Sequence, residues 1–168
     1  MLFRSDQISL VGEIGATNVN LPDQSLLRYE GEGTDTGGGC AVPDVLATVP
    51  GSLFTTSGCL RNPVTQDHGF PTDFSWGYRL AAKADYNSVF GTAITLSPRF
   101  AFAHDVNGIT PGPGGNFLDG RISYTLGLEA NYLQKWVFDI SYTAFQGGGD
   151  LNQISDRDYA TFSVKYSF

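Results

Sequence analysis

The chain has 168 residues, room for one ordinary domain, with 16% charged and 13% aromatic residues and a formal net charge of −7. The charged fraction lies well under the roughly 25% of soluble domains, and the acidic balance excludes the basic footprint that nucleic-acid binding needs. Mean hydropathy is −0.11 and no apolar run approaches about 18 residues, which excludes a transmembrane helix.

Six segments carry a period of two, the signature of a strand whose side chains alternate between two faces. In 6–18, Ile8, Leu10, Gly12, Ile14 and Ala16 alternate with Ser9, Val11, Glu13, Gly15 and Thr17. A long connection follows at about 21–74, rich in Pro and Gly and holding Cys40, Cys59 and His68. The second strand, 75–86, sets Trp76, Tyr78, Leu80, Ala82, Ala84 and Tyr86 against Arg79, Lys83 and Asp85. After a short turn at 87–91, the segment 92–104 sets Ile94, Leu96, Phe100 and Phe102 against Thr95, Ser97 and Arg99. Pro98 interrupts it; proline cannot donate to a ladder, so either a bulge or a local break in pairing is expected there.

A second long connection, 105–120, leads to 121–132, where Ile122, Tyr124, Leu126, Leu128, Ala130 and Tyr132 oppose Ser123, Thr125, Gly127 and Glu129. The turn 133–135 is short, and 136–145 sets Trp136, Phe138, Ile140 and Tyr142 against Val137, Asp139 and Ser141. A third long connection, 146–157, precedes the last strand. There Ala160, Phe162, Val164, Tyr166 and Phe168 share one face, with Thr161, Ser163 and Lys165 on the other. One face of each strand is free of charge over its centre. Aromatics on that face gather toward the strand ends, as girdles at two membrane interfaces require.

The connections alternate long, short, long, short, long. Outer-membrane barrels have short periplasmic turns and long extracellular loops, whereas a soluble sandwich has no reason to keep this parity. The expected fold is therefore all-β: an antiparallel up-and-down transmembrane β-barrel in the bacterial outer membrane, with lipid and the barrel-assembly machinery as partners. Phe162, Val164, Tyr166 and Phe168 form the terminal pattern expected as an assembly signal. Eight strands are the usual minimum for such a barrel. The six strands here read as the last of a larger one, so that 1–168 is the carboxy-terminal part of one barrel domain, with 1–5 non-native, a long extracellular loop at about 21–74, and a preceding portion missing.

At Ser75-Trp-Gly-Tyr-Arg-Leu80, Phe100-Ala-Phe-Ala-His-Asp-Val106 and Ile154-Ser-Asp-Arg-Asp-Tyr159 the chain resembles a known family. It is similar to the carboxy-terminal third of the large proteobacterial outer-membrane proteins grouped as domain-of-unknown-function family 1302. The likeness takes in Asn116-Phe-Leu-Asp-Gly-Arg121, Leu126-Gly-Leu128 and Ser141-Tyr-Thr143, and runs from about Gln7 to Phe168. It implies a longer chain with a signal peptide, and genetic contexts of envelope export or handling of hydrophobic compounds, with envelope transport partners.

Candidate chemistry is sparse. Two cysteines in one extracellular loop of an exported protein read as a disulfide, Cys40 to Cys59; closing about 20 residues stabilises by roughly 3 kcal/mol in the chain-entropy model. Arg79, Lys83, Arg99, Arg121, Glu129, Asp139 and Lys165 fall on the polar face as a charge cluster. Arg79 and Arg99 are expected as neighbours across the turn at 87–91, and Lys165 beside Asp139. Such a cluster serves either a selective constriction or a structural ion-pair network. Asp150, Asn152, Asp156 and Asp158 lack the ordered spacing of a calcium loop, and His104 with Asp105, Asn107 and Gly108 reads as turn chemistry. No phosphate loop, dinucleotide fingerprint, zinc constellation or nucleophile elbow is present, so no metal, cofactor or enzyme activity is expected. The expected function is a channel or export port for small molecules, hydrophobic ones included. The alternative is a structural or interaction barrel with a plugged lumen whose long loop binds a partner.

Overall fold

A computed structural model describes residues 5–23, 29, 69–112 and 115–168. Cys40, Cys59, His68 and most of the loop expected at 21–74 lie outside the described residues, and the disulfide with them. Six strands form: β1 (Gln7–Asn18), β2 (Phe74–Asp85), β3 (Ile94–Asn107), β4 (Ile122–Tyr132), β5 (Trp136–Gln146) and β6 (Tyr159–Tyr166). They make one antiparallel sheet in sequence order, β1 to β6, an up-and-down meander that does not close on itself. Among the described residues no helix is long and apolar enough to cross a membrane.

The register keeps the two faces apart across all five pairs. Leu80 stands opposite Phe102, Phe102 opposite Tyr124, Leu126 opposite both Phe100 and Tyr142, and Ile140 opposite Phe162. Directly opposed residues share a face, so these side chains form one continuous apolar surface. Nothing in the described chain covers it. Leu10 is 76% exposed, Ile14 77%, Phe162 70% and Leu126 54%. The buried apolar side chains are few (Ile109, Phe117, Leu118 and Ala144), all at the long-loop end.

Aromatics bound this surface at both ends. At the short-turn end Trp136 packs on Tyr166, ring centroids 4.6 Å apart, and Tyr132 stands opposite Trp136. At the other end lie Trp76, Tyr78, Tyr124 and Tyr142, with the Tyr142 hydroxyl donating to Asp158 at 2.7 Å. Tyr124 and Tyr132 are eight residues apart on β4, about 26 Å along the strand at roughly 3.3 Å per residue.

Local chemistry sets the turns. Leu133 and Gln134 both have positive φ (54° and 57°), and the Lys135 amide donates to the Tyr132 carbonyl at 3.1 Å. This is the type I′ pattern, whose twist matches that of the flanking strands. The other short connection holds a 3₁₀ turn, Val89–Gly91, and lets β3 begin only at Ile94.

Pro98 sits inside an unshifted strand. Leu96 exchanges both backbone hydrogen bonds with Tyr86 at 2.9 Å, so Pro98, two residues on, also faces β2. The continuous β2–β3 pairing ends at Lys83 opposite Arg99 and resumes at Tyr86 opposite Leu96, with no change of register. One rung is missing where the proline has no N–H. The bulge lies elsewhere, at Trp76/Gly77, where the register shifts.

Candidate polar-face site

The second face of the sheet carries the charged residues on a floor of small side chains. Ala81 is opposite Ala101, Ala101 opposite Thr125, and Thr125 opposite Thr143. Hydroxyls pair across the strands: Thr125 Oγ1 with Thr143 Oγ1 at 2.8 Å, and Ser141 Oγ with Thr161 Oγ1 at 2.6 Å.

Near the short turns the charges are engaged with one another. The Arg99 guanidinium takes both carboxylate oxygens of Asp139, the Nη2–Oδ1 distance being 2.8 Å. Arg99 is on β3 and Asp139 on β5, so the side chain crosses β4, and the residue beneath it is Gly127. A Cβ at Gly127 would lie 2.7 Å from Arg99 Nε. Glycine in a strand interior marks such close approaches. Glu129 stands directly opposite Asp139, and a like-charge pair so placed is unfavourable unless a cation intervenes. Lys83 Nζ lies 3.3 Å from Asp85, which also accepts from the Ser97 hydroxyl. Lys83, Asp85, Ser97 and Glu129, with Asn87 and Asn131, line a cleft of about 640 Å³.

At the long-loop end residues 108–112 and 115–121 lie over the polar face. Asp105, only 6% exposed, accepts from Arg121 Nε at 2.8 Å and from the Leu118 amide at 3.2 Å. Ser75 and Thr110 share a buried hydroxyl contact at 3.1 Å. Phe117 lies against Gly15 and Gly77; a Cβ on either would come within 3.2 or 3.0 Å of its ring. Neighbouring strands without side chains give the ring a seat. Asp158, outside the strands, is held below the usual carboxylate range by the Phe145 amide and then by the Tyr142 hydroxyl.

The expected cluster is thus divided rather than gathered. Arg99 joins Asp139, Arg121 joins Asp105, and Lys83 joins Asp85. Arg79 is not beside Arg99: it stands opposite Ala103 and Glu13, and Arg99 stands opposite Lys83, four residues further along β2. Lys165 stands opposite Val137, two positions from the Asp139 register, and Arg99 rather than Lys165 bonds that carboxylate. Phe162, Val164 and Tyr166 lie on the apolar face of β6. Reading the sequence missed Asp105, Gly127 and Phe117. A lone glycine within an alternating strand was the signal available for Gly127; Asp105 belongs to β3 and not to a turn.

The family model described as "Protein of unknown function (DUF1302)" matches residues 2–168. No curated protein and no solved structure matches the chain.

Proposed function

The chain belongs to the DUF1302 family, and we propose that its sheet is part of the wall of an outer-membrane β-barrel that serves as a channel or export port for small molecules, hydrophobic ones included. The observation that carries this is the uncovered apolar face. Contiguous apolar patches beyond a few hundred Å² are rare on soluble monomers, yet here the surface runs over six strands. Hydrocarbon is the solvent such a face suits, with the aromatic bands at the two interfaces. Their spacing of about 26 Å along β4 becomes about 20 Å along the membrane normal at a tilt of about 40°. The polar face then lines the interior, where paired charges on a floor of small residues suit an aqueous path. Both sheet edges carry unpaired backbone groups, which hydrocarbon does not tolerate; further strands between β6 and β1 complete the wall. Barrel-assembly machinery and envelope transport components are the partners this reading implies.

A second reading, a plugged structural barrel, draws on residues 115–121 lying inward, with Phe117 seated on Gly15 and Gly77. Planar-bilayer recording on the intact protein separates the two: discrete conductance steps support the port, and a silent, correctly inserted protein supports the plug. The membrane reading has its own test. Leu126→Arg, on the apolar face, is expected to cost about 2–4 kcal/mol of stability in lipid, as arginine does near a bilayer midplane. Ser163→Arg, on the other face and opposite Asp139, is expected to cost less than about 1 kcal/mol. Equal costs would remove lipid as the solvent of that face.

A further inference from the structure

Of the arginines on the polar face, Arg99 and Arg121 are committed to Asp139 and Asp105. Arg79 is different. It is exposed, and it forms neither an ion pair nor a hydrogen bond among the described residues. Clefts of about 220, 260 and 310 Å³ all include Arg79 in their walls. Each alone is at or below the roughly 300–1,000 Å³ of ordinary ligand sites, but Arg79 is common to all three. One cleft is walled mainly by apolar side chains, Val11, Ala81 and Ala101 among them; the other two are mixed, with Phe117 beside Asp105 and Asn116 in one, and Phe145 and Ile154 beside Asp105 and Arg121 in the other.

We propose that Arg79 is the anchor of a solute site on the polar face, and that the site takes a monocarboxylate bearing an apolar ring or chain. This deepens the port reading and rests on it, since that reading makes the polar face an interior. A guanidinium offers a planar fork that matches a carboxylate bidentately. A phosphate or dicarboxylate fits less well, because the nearest other cations, Lys83, Arg99 and Arg121, already hold carboxylates. One uncommitted positive charge suits one negative charge. The apolar wall formed by Val11, Ala81 and Ala101 supplies the rest of the attraction through burial of the ring or chain.

Glu13 sharpens the argument. It stands directly opposite Arg79 across β1 and β2 and lines two of the same clefts, yet no ion pair joins them. It is the built-in competitor for the guanidinium, so removing its charge tightens the site.

The test uses the intact protein, with phenylacetate as probe and its neutral analogue phenylacetamide as control. Binding is read by calorimetry in detergent micelles and block by planar-bilayer recording. Phenylacetate is expected to bind and to impede conductance while phenylacetamide does neither. Arg79→Gln is expected to weaken phenylacetate about tenfold or more, the scale of a charge-assisted hydrogen bond. Arg79→Lys retains part of the affinity, and Glu13→Gln raises it severalfold. If the protein conducts but the two probes behave alike, or Arg79→Gln binds phenylacetate as the parent does, the site is overturned and the port stands. If no conductance is seen but phenylacetate binds in an Arg79-dependent way, the port fails and the site stands. Neither conductance nor binding overturns both. Should Arg79→Gln fail to fold, judged by heat-modifiable migration in gels, Glu13→Gln carries the test, and unchanged affinity there overturns the site.

Discussion

Gly127→Ala puts the crossing of β4 by Arg99 to the test. The new methyl would lie 2.7, 2.8 and 2.9 Å from Nε, Cζ and Cγ of Arg99. The guanidinium is the mobile party, so it lifts away and leaves Asp139. The two side chains are 34% and 21% exposed, so the bidentate pair falls between surface and buried cases, at about 1–1.5 kcal/mol. Against that loss, alanine in a strand gains about 0.5–1 kcal/mol over glycine. The single variant is therefore expected to lie within about 1 kcal/mol of the parent, too small a change to interpret alone. The informative quantity is the coupling. In an Arg99→Ala background nothing occupies the space above β4, so the same Gly127→Ala change is expected to stabilise by about 0.5–1 kcal/mol. The effect in the two backgrounds differs by about 1–1.5 kcal/mol, the pair energy. Urea unfolding of the intact protein in lipid vesicles, followed by tryptophan fluorescence, measures all four corners of the cycle. An identical effect of Gly127→Ala with and without Arg99 would refute the claim that this glycine exists to let the arginine pass.

Gly77→Ala places a Cβ 2.6 Å from the His104 carbonyl and 3.0 Å from Phe117, an overpacking expected to cost about 1–3 kcal/mol. It should speed limited proteolysis within 115–121, and Gly15→Ala, meeting only the Phe117 ring at 3.2 Å, should do so to a smaller degree; a parental rate in Gly15→Ala would contradict the seating of Phe117. Gln134→Gly relieves a positive φ of 57° in the type I′ turn and is expected to stabilise by about 1 kcal/mol, seen as a raised urea midpoint; a lowered midpoint would refute it. Because the Asp158 carboxyl is held below its ordinary value, its contribution is complete above about pH 4 and is lost as pH falls below that through the folded value. Hydrogen exchange at the Phe145 amide, which donates to Asp158 at 2.9 Å, should lose protection over that interval, and Asp158→Asn should abolish the dependence. Protection that is flat with pH would count against the tie.

The strands were legible because period-two alternation is a local property, and no strand end differs from the sequence reading by more than a few residues. The face of each charged residue within the expected strands was legible for the same reason, while that of Asp105, read as part of a turn, was not. Cross-strand neighbours were not. A turn centred on residue 89 makes Arg79 face Arg99; the observed pairing of Lys83 with Arg99 centres it two residues later. That slip preserves parity, so every side chain keeps its face while the partners move by four positions. The tight turn at 133–135 left no such freedom, and Glu129 opposite Asp139 followed from its length. The inward placement of 115–121 was illegible because it depends on contacts far apart in sequence, Phe117 on Gly15 above all. At Pro98 both outcomes were open from chemistry alone; the unchanged register selects the missing rung.

Each strand touches only the strands before and after it in the chain. A hairpin spliced into or out of this meander leaves every other pairing intact, since no crossover must be rerouted. On the proposed barrel reading, circumference and pore width then change in steps of one hairpin, while the chemistry of each surviving hairpin is kept.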